Sequence, residues 1–271
     1  MKTRIIAAAV GIPVLLLLVL AAPKMIAAVV FAILMAIAAY ELLYRTRLVT
    51  KPKLVIYSGI MACAIAIWSY YGAIHAYFVL MVLVYFLLMF GEMMKDHVKM
   101  RFETLSMCFV GGLVVPYLMS SVVRILAMNT GRYVILIPFI VACVCDAGAY
   151  FVGVKFGRHK LAPVVSPNKT IEGALGGITA GIVCMLLYAV ILDWPLKFDV
   201  NYGAAILYGV LGCLAGELGD LCFSVIKRQT GIKDYGNLIP GHGGVLDRFD
   251  SILAVAPLIE AMLLIMPVIE L

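Results

Sequence analysis

The chain has 271 residues, of which 65% are hydrophobic and only 13% are charged. Water-soluble domains carry roughly a quarter charged residues, so this composition excludes that class and predicts an integral membrane protein. The net charge is +6 and no basic run with interleaved aromatic residues is present, so we expect no nucleic-acid partner. The seven cysteines are odd in number and scattered through apolar runs, which argues against a disulfide framework.

Nine apolar runs approach the roughly 20 residues that a helix needs to cross a bilayer. In chain order they cover residues 5–22, 25–44, 54–70, 73–91, 104–128, 133–154, 171–192, 202–224 and 251–268. The first resembles a signal peptide, but no convincing cleavage site follows it, so we interpret it as a retained helix. The predicted fold class is an all-α, polytopic integral membrane protein with about nine transmembrane helices.

The basic residues predict the orientation of these helices. If the N-terminus is cytoplasmic, all of the 21 lysines and arginines lie on the cytoplasmic side except Lys24, Arg124, Arg132 and Lys197. Cytoplasmic loops carry the excess of positive charge in membrane proteins. With nine spans, this places the N-terminus in the cytoplasm, the C-terminus outside, and the polar loops 155–171 and 225–250 on the cytoplasmic face.

Carboxylates inside apolar spans are the first candidates for function. Four stand out: Asp146, Glu217, Asp220 and Glu260. Each costs roughly 2.5–3.5 kcal/mol at mid-membrane, so it is expected to face a cavity or a partner. In the eighth span, Glu217, Asp220, Ser224 and Lys227 have the spacing of one helical face. This face is either part of a metal or substrate site or a set of hydrogen bonds and ion pairs within the helix. Glu260 has no partner in the sequence and is not placed in the site.

The longest polar stretch is SVIKRQTGIKDYGNLIPGHGGVLDRFD, from Ser224 to Asp250. Glycine lets backbone N–H groups approach an anion, lysine and arginine neutralise it, and aspartates hold a bridging metal, so the stretch predicts a site for phosphates and metal. Asp220 and Asp247 flank the stretch and can share one hard cation such as magnesium. For Asp247 and Asp250 the alternative is favourable charge at a helix N-terminus. For His242 it is a turn histidine bonded to backbone rather than to phosphate.

The second polar loop precedes the seventh span. Lys169 and Thr170 lie beside the start of that helix, where a phosphate binds favourably. In an alternative interpretation Ser166 caps the helix and Pro167 occupies its first turn. His159 and Lys160, earlier in the loop, are equally explained as positive charge facing lipid headgroups.

The pattern S-x-x-K-R-x-x-x-x-K-D-x-G-x-x-x-P-G-H-G-G-x-x-D-R-x-D, from Ser224 to Asp250, resembles the signature of the phosphatidate cytidylyltransferase (CDP-diacylglycerol synthase) family. The segments Asp146–Tyr150 and Ser166–Gly173 also resemble that family, although tryptophan is common there where Ile171 stands. The resemblance covers residues 141–250. It implies transfer of CMP from CTP to phosphatidate, giving CDP-diacylglycerol and pyrophosphate, in phospholipid biosynthesis. It further implies magnesium, with a second cation left open, and a homodimer in a bacterial inner membrane.

We expect two parts of the chain: N-terminal transmembrane helices, 1–102, and a C-terminal transmembrane catalytic region, 103–271, with the cytoplasmic loops 155–171 and 225–250. The expected catalytic residues are Asp220, Asp247, Lys227 and Lys233. The expected metal ligands are Asp220 and Asp247, with Asp146 and Asp250 as further ligands or supports. The expected substrate-binding residues are Lys169, Thr170, Ser224, Arg228, His242, Gly243, Gly244 and Arg248. Two alternatives remain: a CTP-dependent polyprenol kinase and a proton- or ion-coupled transporter.

Overall fold

The structure is a computed structural model that describes residues 2–72, 74–95, 100–239, 241 and 243–270. It is nearly all-α, as predicted. Its helices are α1 Lys2–Leu20, α2 Lys24–Arg45, α3 Pro52–Tyr71, α4 His75–Lys95, α5 Phe102–Ala127, α6 Gly131–Phe156, α7 Ile171–Asp193, α8 Tyr202–Gln229, α9 Leu246–Phe249 and α10 Ile252–Ile265. Its short strands are β1 Lys160–Ala162, β2 Ser166–Thr170, β3 Asp199–Val200 and β4 Ile269–Glu270.

The prediction of a polytopic membrane protein is confirmed at the level of class. Among the described residues, the seven helices α2 to α8 are long and apolar enough to cross a bilayer by length and composition. The two other predicted spans correspond to shorter apolar helices, α10 and the part of α1 from Ala9 to Leu20. The count of nine spans and their orientation therefore stay predictions.

The helix ends follow local sequence rules. Helix α3 begins with Pro52, whose missing N–H is not needed in a first turn, and it ends before Gly72, which adopts a left-handed conformation at φ 56°. Helix α5 is interrupted by a π-helical turn, Val110–Val114, and is divided again between Met119 and Ser121. Helix α2 also ends in a π-helical turn, Glu41–Arg45.

The chain forms two compact units, which are described separately. The first contains residues 1–128 and 229–249, and the second contains residues 129–228 and 250–271. The division predicted at residue 102 separates N-terminal helices from an expected catalytic region, and it stays a prediction. All seven cysteines lie among the described residues and are free thiols, as their number and placement predicted.

The first unit is built around the packing of α2 against α3 and α5. Phe31, Met35 and Leu43 of α2 are fully buried there, together with Ile65 of α3. A polar contact fixes α4 to this core, because the Tyr85 hydroxyl donates to the Cys108 carbonyl oxygen at 2.8 Å and lies 2.9 Å from Ser58 Oγ. The remainder of α4 is mostly exposed, as expected for a helix that faces lipid.

The second unit uses glycine to bring helices close together. A methyl group on Gly177 of α7 would lie 2.8 Å from the Cys145 carbonyl oxygen of α6. On α8, a methyl group on Gly209 would lie 2.8 Å from the Ile182 Cα atom of α7. Small residues allow such close approach between membrane helices, where van der Waals packing drives association. Helices α6, α7 and α8 are therefore held in close contact near the residues that form the candidate site.

The loop between α6 and α7 is a β-hairpin rather than an irregular segment. Strands β1 and β2 pair antiparallel, with Lys160 opposite Thr170 and Ala162 opposite Ser166. The alternative in which Ser166 caps α7 is wrong, because Ser166 begins strand β2 and the helix starts only at Ile171. The cap is Thr170, whose hydroxyl oxygen accepts a hydrogen bond from the Gly173 N–H at 3.1 Å.

Candidate active site

The acidic face of α8 binds one lysine from strand β2. The Lys169 Nζ atom lies 2.5 Å from Glu217 Oε2 and 2.7 Å from Asp220 Oδ2. These three side chains keep only 18%, 10% and 26% of their exposure, so their charges are largely removed from water. We call Lys169, Glu217 and Asp220 the β2–α8 cluster. The structure thus brings a residue of the polar loop before the seventh span to the acids of the eighth span.

The charge of Lys169 is stable in this environment. Burial alone would lower the pKa of Lys169, but its hydrogen bonds to Asp220 and Glu217 outweigh burial and raise the pKa above the ordinary value of 10.5. Lys169 is therefore a cation throughout the physiological pH range.

The four polar side chains predicted to share one helical face, Glu217, Asp220, Ser224 and Lys227, all belong to helix α8. Ser224 Oγ donates a hydrogen bond to Asp220 Oδ1 at 3.3 Å. Lys227, further along the same face, pairs with Asp250 at 3.6 Å. The alternative of contacts within the helix explains the Ser224 bond, but it does not explain Lys169 or Asp250, because both belong to other segments of the chain.

The hairpin that carries Lys169 is fixed at its base by Glu172, in the first turn of α7. The Glu172 carboxylate accepts hydrogen bonds from the backbone N–H groups of Arg158 and His159, at 3.0 and 3.1 Å. It also lies 2.6 Å from His159 Nδ1. The His159 ring therefore already contacts Glu172 at the base of the hairpin. Together with the Thr170 cap, these bonds hold the backbone on both sides of the strands, so Lys169 projects from a rigid support.

A cavity of about 450 Å³ opens beside the β2–α8 cluster. Asp146 and Tyr150 of α6 line it together with Lys169, Thr170 and Glu217. Lys160 and Asn168 of the hairpin add polar groups to its wall. The cavity has the size of a small-molecule site and contains both cationic and anionic side chains. Asp146 and Lys169, which the sequence predicted separately, therefore share one cavity.

Arg228 also has a protein partner in the second unit. Its Nε atom donates to the Val165 carbonyl oxygen, in the turn between β1 and β2, at 3.3 Å. The end of α8 is thus joined to the hairpin. The prediction that Arg228 binds a phosphate stays untested, and the observed bond shows what orients its guanidinium group.

In the first unit, Asp247 organises the glycine-rich loop. Its side chain is buried, and Oδ2 accepts hydrogen bonds from the backbone N–H groups of Tyr235 at 2.8 Å and Gly244 at 2.9 Å. A hydrogen-bonded carboxylate is held in one orientation, as metal-binding acids commonly are. The same contacts also explain Asp247 as the residue that closes the loop.

A second cavity, of about 520 Å³, lies within this loop. Lys233, Arg248 and Gly243 line it, so three of the predicted catalytic or substrate-binding residues face one space. Asp234 adds a carboxylate to the wall. His242, predicted to bind substrate, lies outside the described residues, and its role stays a prediction.

Sequence reasoning missed one acid that holds the same loop. Glu41, in the π-helical turn of α2, is only 3% exposed. Its carboxylate oxygens accept hydrogen bonds from the backbone N–H groups of Val245 at 3.1 Å and Leu246 at 2.8 Å. Glu41 lies at the end of a predicted span, so the rule that an acid in an apolar run needs a partner would have identified it.

The predicted metal site is only partly addressed by these contacts. Asp220 belongs to the second unit and Asp247 to the first, so their shared coordination of one ion stays a prediction. Within the described residues, no three His, Cys, Asp or Glu side chains are grouped so as to hold a metal ion. The chemistry of the donors nevertheless suits magnesium, because the α8 face offers carboxylate oxygens that already stabilise the positive charge of Lys169.

Comparison with known proteins places this geometry in a family. A model described as the Cytidylyltransferase family matches residues 2–266. The chain belongs to the cytidylyltransferase family. The matched range includes the hairpin, the acidic face of α8 and the glycine-rich loop.

Curated relatives agree with this family. The chain is 43% identical over 136 residues to a protein of Staphylococcus haemolyticus named phosphatidate cytidylyltransferase, and 40% identical over 136 residues to one of that name from Staphylococcus saprophyticus. A protein of that name from Staphylococcus aureus is 41% identical over a region of the same length. Each alignment covers 50% of this chain and 51% of the relative, so the chain matches about half the length of these relatives.

Proposed function

We propose that this protein transfers CMP from CTP to phosphatidate, producing CDP-diacylglycerol and pyrophosphate for phospholipid synthesis. The observation that carries the proposal is the family match over residues 2–266, because it extends through the spanning helices and both polar regions. The name of the relatives supports phosphatidate as the acceptor. The signature from Ser224 to Asp250 supports the same substrate class.

The geometry suits this chemistry. A phosphate oxygen of phosphatidate attacks the α-phosphorus of CTP, and the bond to the departing pyrophosphate breaks. The attacking group is already an anion, so the protein needs no strong general base. It needs to align two highly charged phosphates and neutralise their repulsion in a partly dry site.

The cations of each unit provide that neutralisation. Lys169 stands beside the 450 Å³ cavity on a rigid hairpin, and Lys233 and Arg248 face the 520 Å³ cavity. We assign these three side chains, with Lys227 and Arg228, to the phosphates of CTP and phosphatidate. Fixed charges that need little rearrangement stabilise the charge that develops during phosphoryl transfer.

Magnesium would be held by Asp220 and Asp247, with Asp146 and Asp250 as further ligands or as supports for them. When bound, it would neutralise charge on the triphosphate. The support for these ligands is that they are oxygen donors oriented by other groups. Asp220 contacts Lys169 and Ser224, and the backbone fixes Asp247. A second cation remains part of the proposal.

We further propose that the site faces the cytoplasm, where CTP is available, and that the two acyl chains of phosphatidate stay between the helices in the inner leaflet. The charge distribution of the loops supports this orientation. The cell membrane of a bacterium is the expected location, since the relatives are bacterial. A homodimer is the assembly that the family resemblance suggests.

The decisive experiment identifies the lipid product. Purified protein is incubated with phosphatidate, magnesium and each of the four nucleoside triphosphates in turn. We expect CDP-diacylglycerol and pyrophosphate with CTP and no lipid product with ATP, GTP or UTP. A parallel incubation replaces phosphatidate with a polyprenol, and formation of polyprenyl phosphate and CDP there would instead identify a kinase. CTP-independent solute flux in sealed vesicles would identify a transporter.

Two variants connect this product to the site. Asp220→Asn removes one negative charge from the β2–α8 cluster and should abolish turnover. Asp193→Asn is the matched control, because Asp193 lies at the far end of α7 from Lys169 and its contact is to Tyr202. Equal activity of both variants would remove Asp220 from the site.

A further inference from the structure

Glu41 is a buried acid that the proposed chemistry does not use. It lies where α2 changes from an α-helix to a π-helical turn, Glu41–Arg45. Such turns are rare and often occur at functional sites. The same turn directs Arg45 toward the glycine-rich loop, where its Nη2 atom donates to Asn237 Oδ1 at 3.2 Å. The end of α2 therefore contacts the loop with both an acid and a base.

The Glu41 carboxylate binds the loop through two consecutive backbone amides. Oε1 accepts from Val245 and Oε2 accepts from Leu246, so both oxygens are used. These residues immediately precede Asp247, which binds the N–H groups of Tyr235 and Gly244. Two buried carboxylates thus fix the main chain on both sides of the loop, and charged acceptors make the stronger class of hydrogen bond.

Glu41 also explains why two positions of the loop, 236 and 244, are glycine. A methyl group on Gly244 would lie only 2.5 Å from Glu41 Cδ, and its three nearest atoms would all belong to Glu41. A methyl group on Gly236 would lie 2.8 Å from the same Cδ atom. Real side chains do not approach so closely, so the Glu41 carboxylate would have to move and give up its bonds to the backbone amides of Val245 and Leu246. The sequence suggested that such glycines admit a phosphate, but at these two positions the space is occupied by Glu41.

We propose that Glu41 is a positioning residue for the active site and that Gly244 is glycine because the Glu41 carboxylate occupies the space of its side chain. Glu41 holds the Val245–Leu246 backbone and so keeps Lys233 and Arg248 facing their cavity. The catalytic half of this proposal rests on the proposed cytidylyltransferase function. The packing half, between Glu41 and Gly244, stands without it.

A double-mutant cycle tests the pairing. The variants are Glu41→Ala, Gly244→Ala and both together, measured for the unfolding midpoint in detergent and for CDP-lipid formation. Two residues that compete for the same space are coupled, whereas independent residues have additive effects. We expect Gly244→Ala to reduce kcat/KM for CTP at least tenfold in the wild-type background and less than threefold in the Glu41→Ala background. Additive effects in both readouts would overturn the proposal.

The control cycle combines Glu41→Ala with Gly173→Ala. A methyl group on Gly173 would meet Ala149 and Thr170, not Glu41, so we expect this pair to be additive. If Glu41→Ala does not fold, Glu41→Asp provides the second background, because its shorter side chain withdraws the carboxylate from Gly244. Gly244→Ala must then be less harmful in Glu41→Asp than in the wild type, and equal harm would refute the pairing.

The catalytic half has its own readout. Glu41→Ala should raise the KM for CTP at least tenfold. The amide oxygen of Glu41→Gln still accepts one backbone N–H, so the KM of this variant should be at least threefold lower than that of Glu41→Ala. Unchanged kinetics in folded Glu41→Ala would show that Glu41 does not position the site. If wild-type protein forms no CDP-lipid, the proposed function fails, and the unfolding midpoints alone decide whether Glu41 and Gly244 are coupled.

Discussion

Replacing Lys169 with methionine tests the central electrostatic feature of the second unit. Methionine keeps a long, flexible, apolar side chain but removes the charge that contacts Glu217 and Asp220. Two carboxylates one helical turn apart then remain in a largely dry environment without a counter-charge. We expect Lys169→Met to destabilise the protein and to abolish CDP-lipid formation.

The size of the effect follows from burial. Removing one partner of a buried ion pair costs about 3–5 kcal/mol, because an uncompensated charge stays behind. Asp220 keeps 26% of its side-chain exposure, so water screens part of that charge and the lower end of the range, about 3 kcal/mol, applies. For a chain of this size, that corresponds to a fall in melting temperature of roughly 6–12 °C.

The assay separates stability from catalysis. Lys169→Met and the triple variant Lys169→Met/Glu217→Met/Asp220→Leu are compared by thermal unfolding in detergent, with Lys155→Met as the control for losing an exposed lysine. Replacement of a whole buried ionic cluster by apolar residues of similar volume is nearly neutral for stability. The triple variant should therefore regain stability to within about 1 kcal/mol of the wild type while remaining inactive. A wild-type melting temperature for Lys169→Met, or no recovery in the triple variant, would refute this reasoning.

Four further outcomes are expected. The raised pKa of Lys169 makes its contribution to stability complete below the ordinary value of 10.5 and lost only as the pH rises through the higher folded-state pKa. The difference in melting temperature between wild type and Lys169→Met should therefore be constant from neutral pH to about pH 10 and shrink above it. Thr170→Val removes the cap of α7 and should cost about 0.5–2 kcal/mol in thermal unfolding, whereas Thr170→Ser should cost less. Asp247→Asn keeps an acceptor oxygen for the loop and should unfold near the wild-type temperature with no turnover, while Asp247→Ala should lose both; full activity of Asp247→Asn would end its assignment to the metal. Lys227→Ala should raise the concentration of CTP or phosphatidate needed for half-maximal rate, and unchanged kinetics would exclude Lys227 from the site.

The positions of the helices could be predicted because membrane helices obey a strong local rule. Each apolar run predicted from the sequence coincides with a helix, since a chain in lipid must satisfy its backbone hydrogen bonds within itself. The acidic face of α8 could be predicted for the same reason, because helical spacing fixes which side chains share a face. These features depend only on residues that are close in the sequence.

Features that depend on distant residues could not be predicted. Nothing in the spacing of Lys169 indicates that it contacts Glu217 and Asp220, because β2 and α8 are separated by the whole of α7. The cap of α7 was ambiguous between Ser166 and Thr170, since both carry hydroxyl groups before the helix. Because β1 pairs with β2, Ser166 belongs to a strand, and Thr170 is the residue that directly precedes the helix. Tertiary contact, not local preference, decided that cap.

The role of a carboxylate is the hardest property to infer from the sequence, because one acid can satisfy backbone groups and bind a cation with different oxygens. Asp247 was predicted as a metal ligand, and its Oδ2 atom is used by Tyr235 and Gly244. These contacts are compatible with metal binding, since they fix the orientation of the carboxylate before any ion arrives. At Glu41, both oxygens are bound to backbone amides. Asp220 also uses both of its oxygens, but with the side chains of Ser224 and Lys169. The kind of partner, backbone amide or polar side chain, therefore distinguishes Glu41, which holds the loop, from Asp220, which remains a candidate for chemistry.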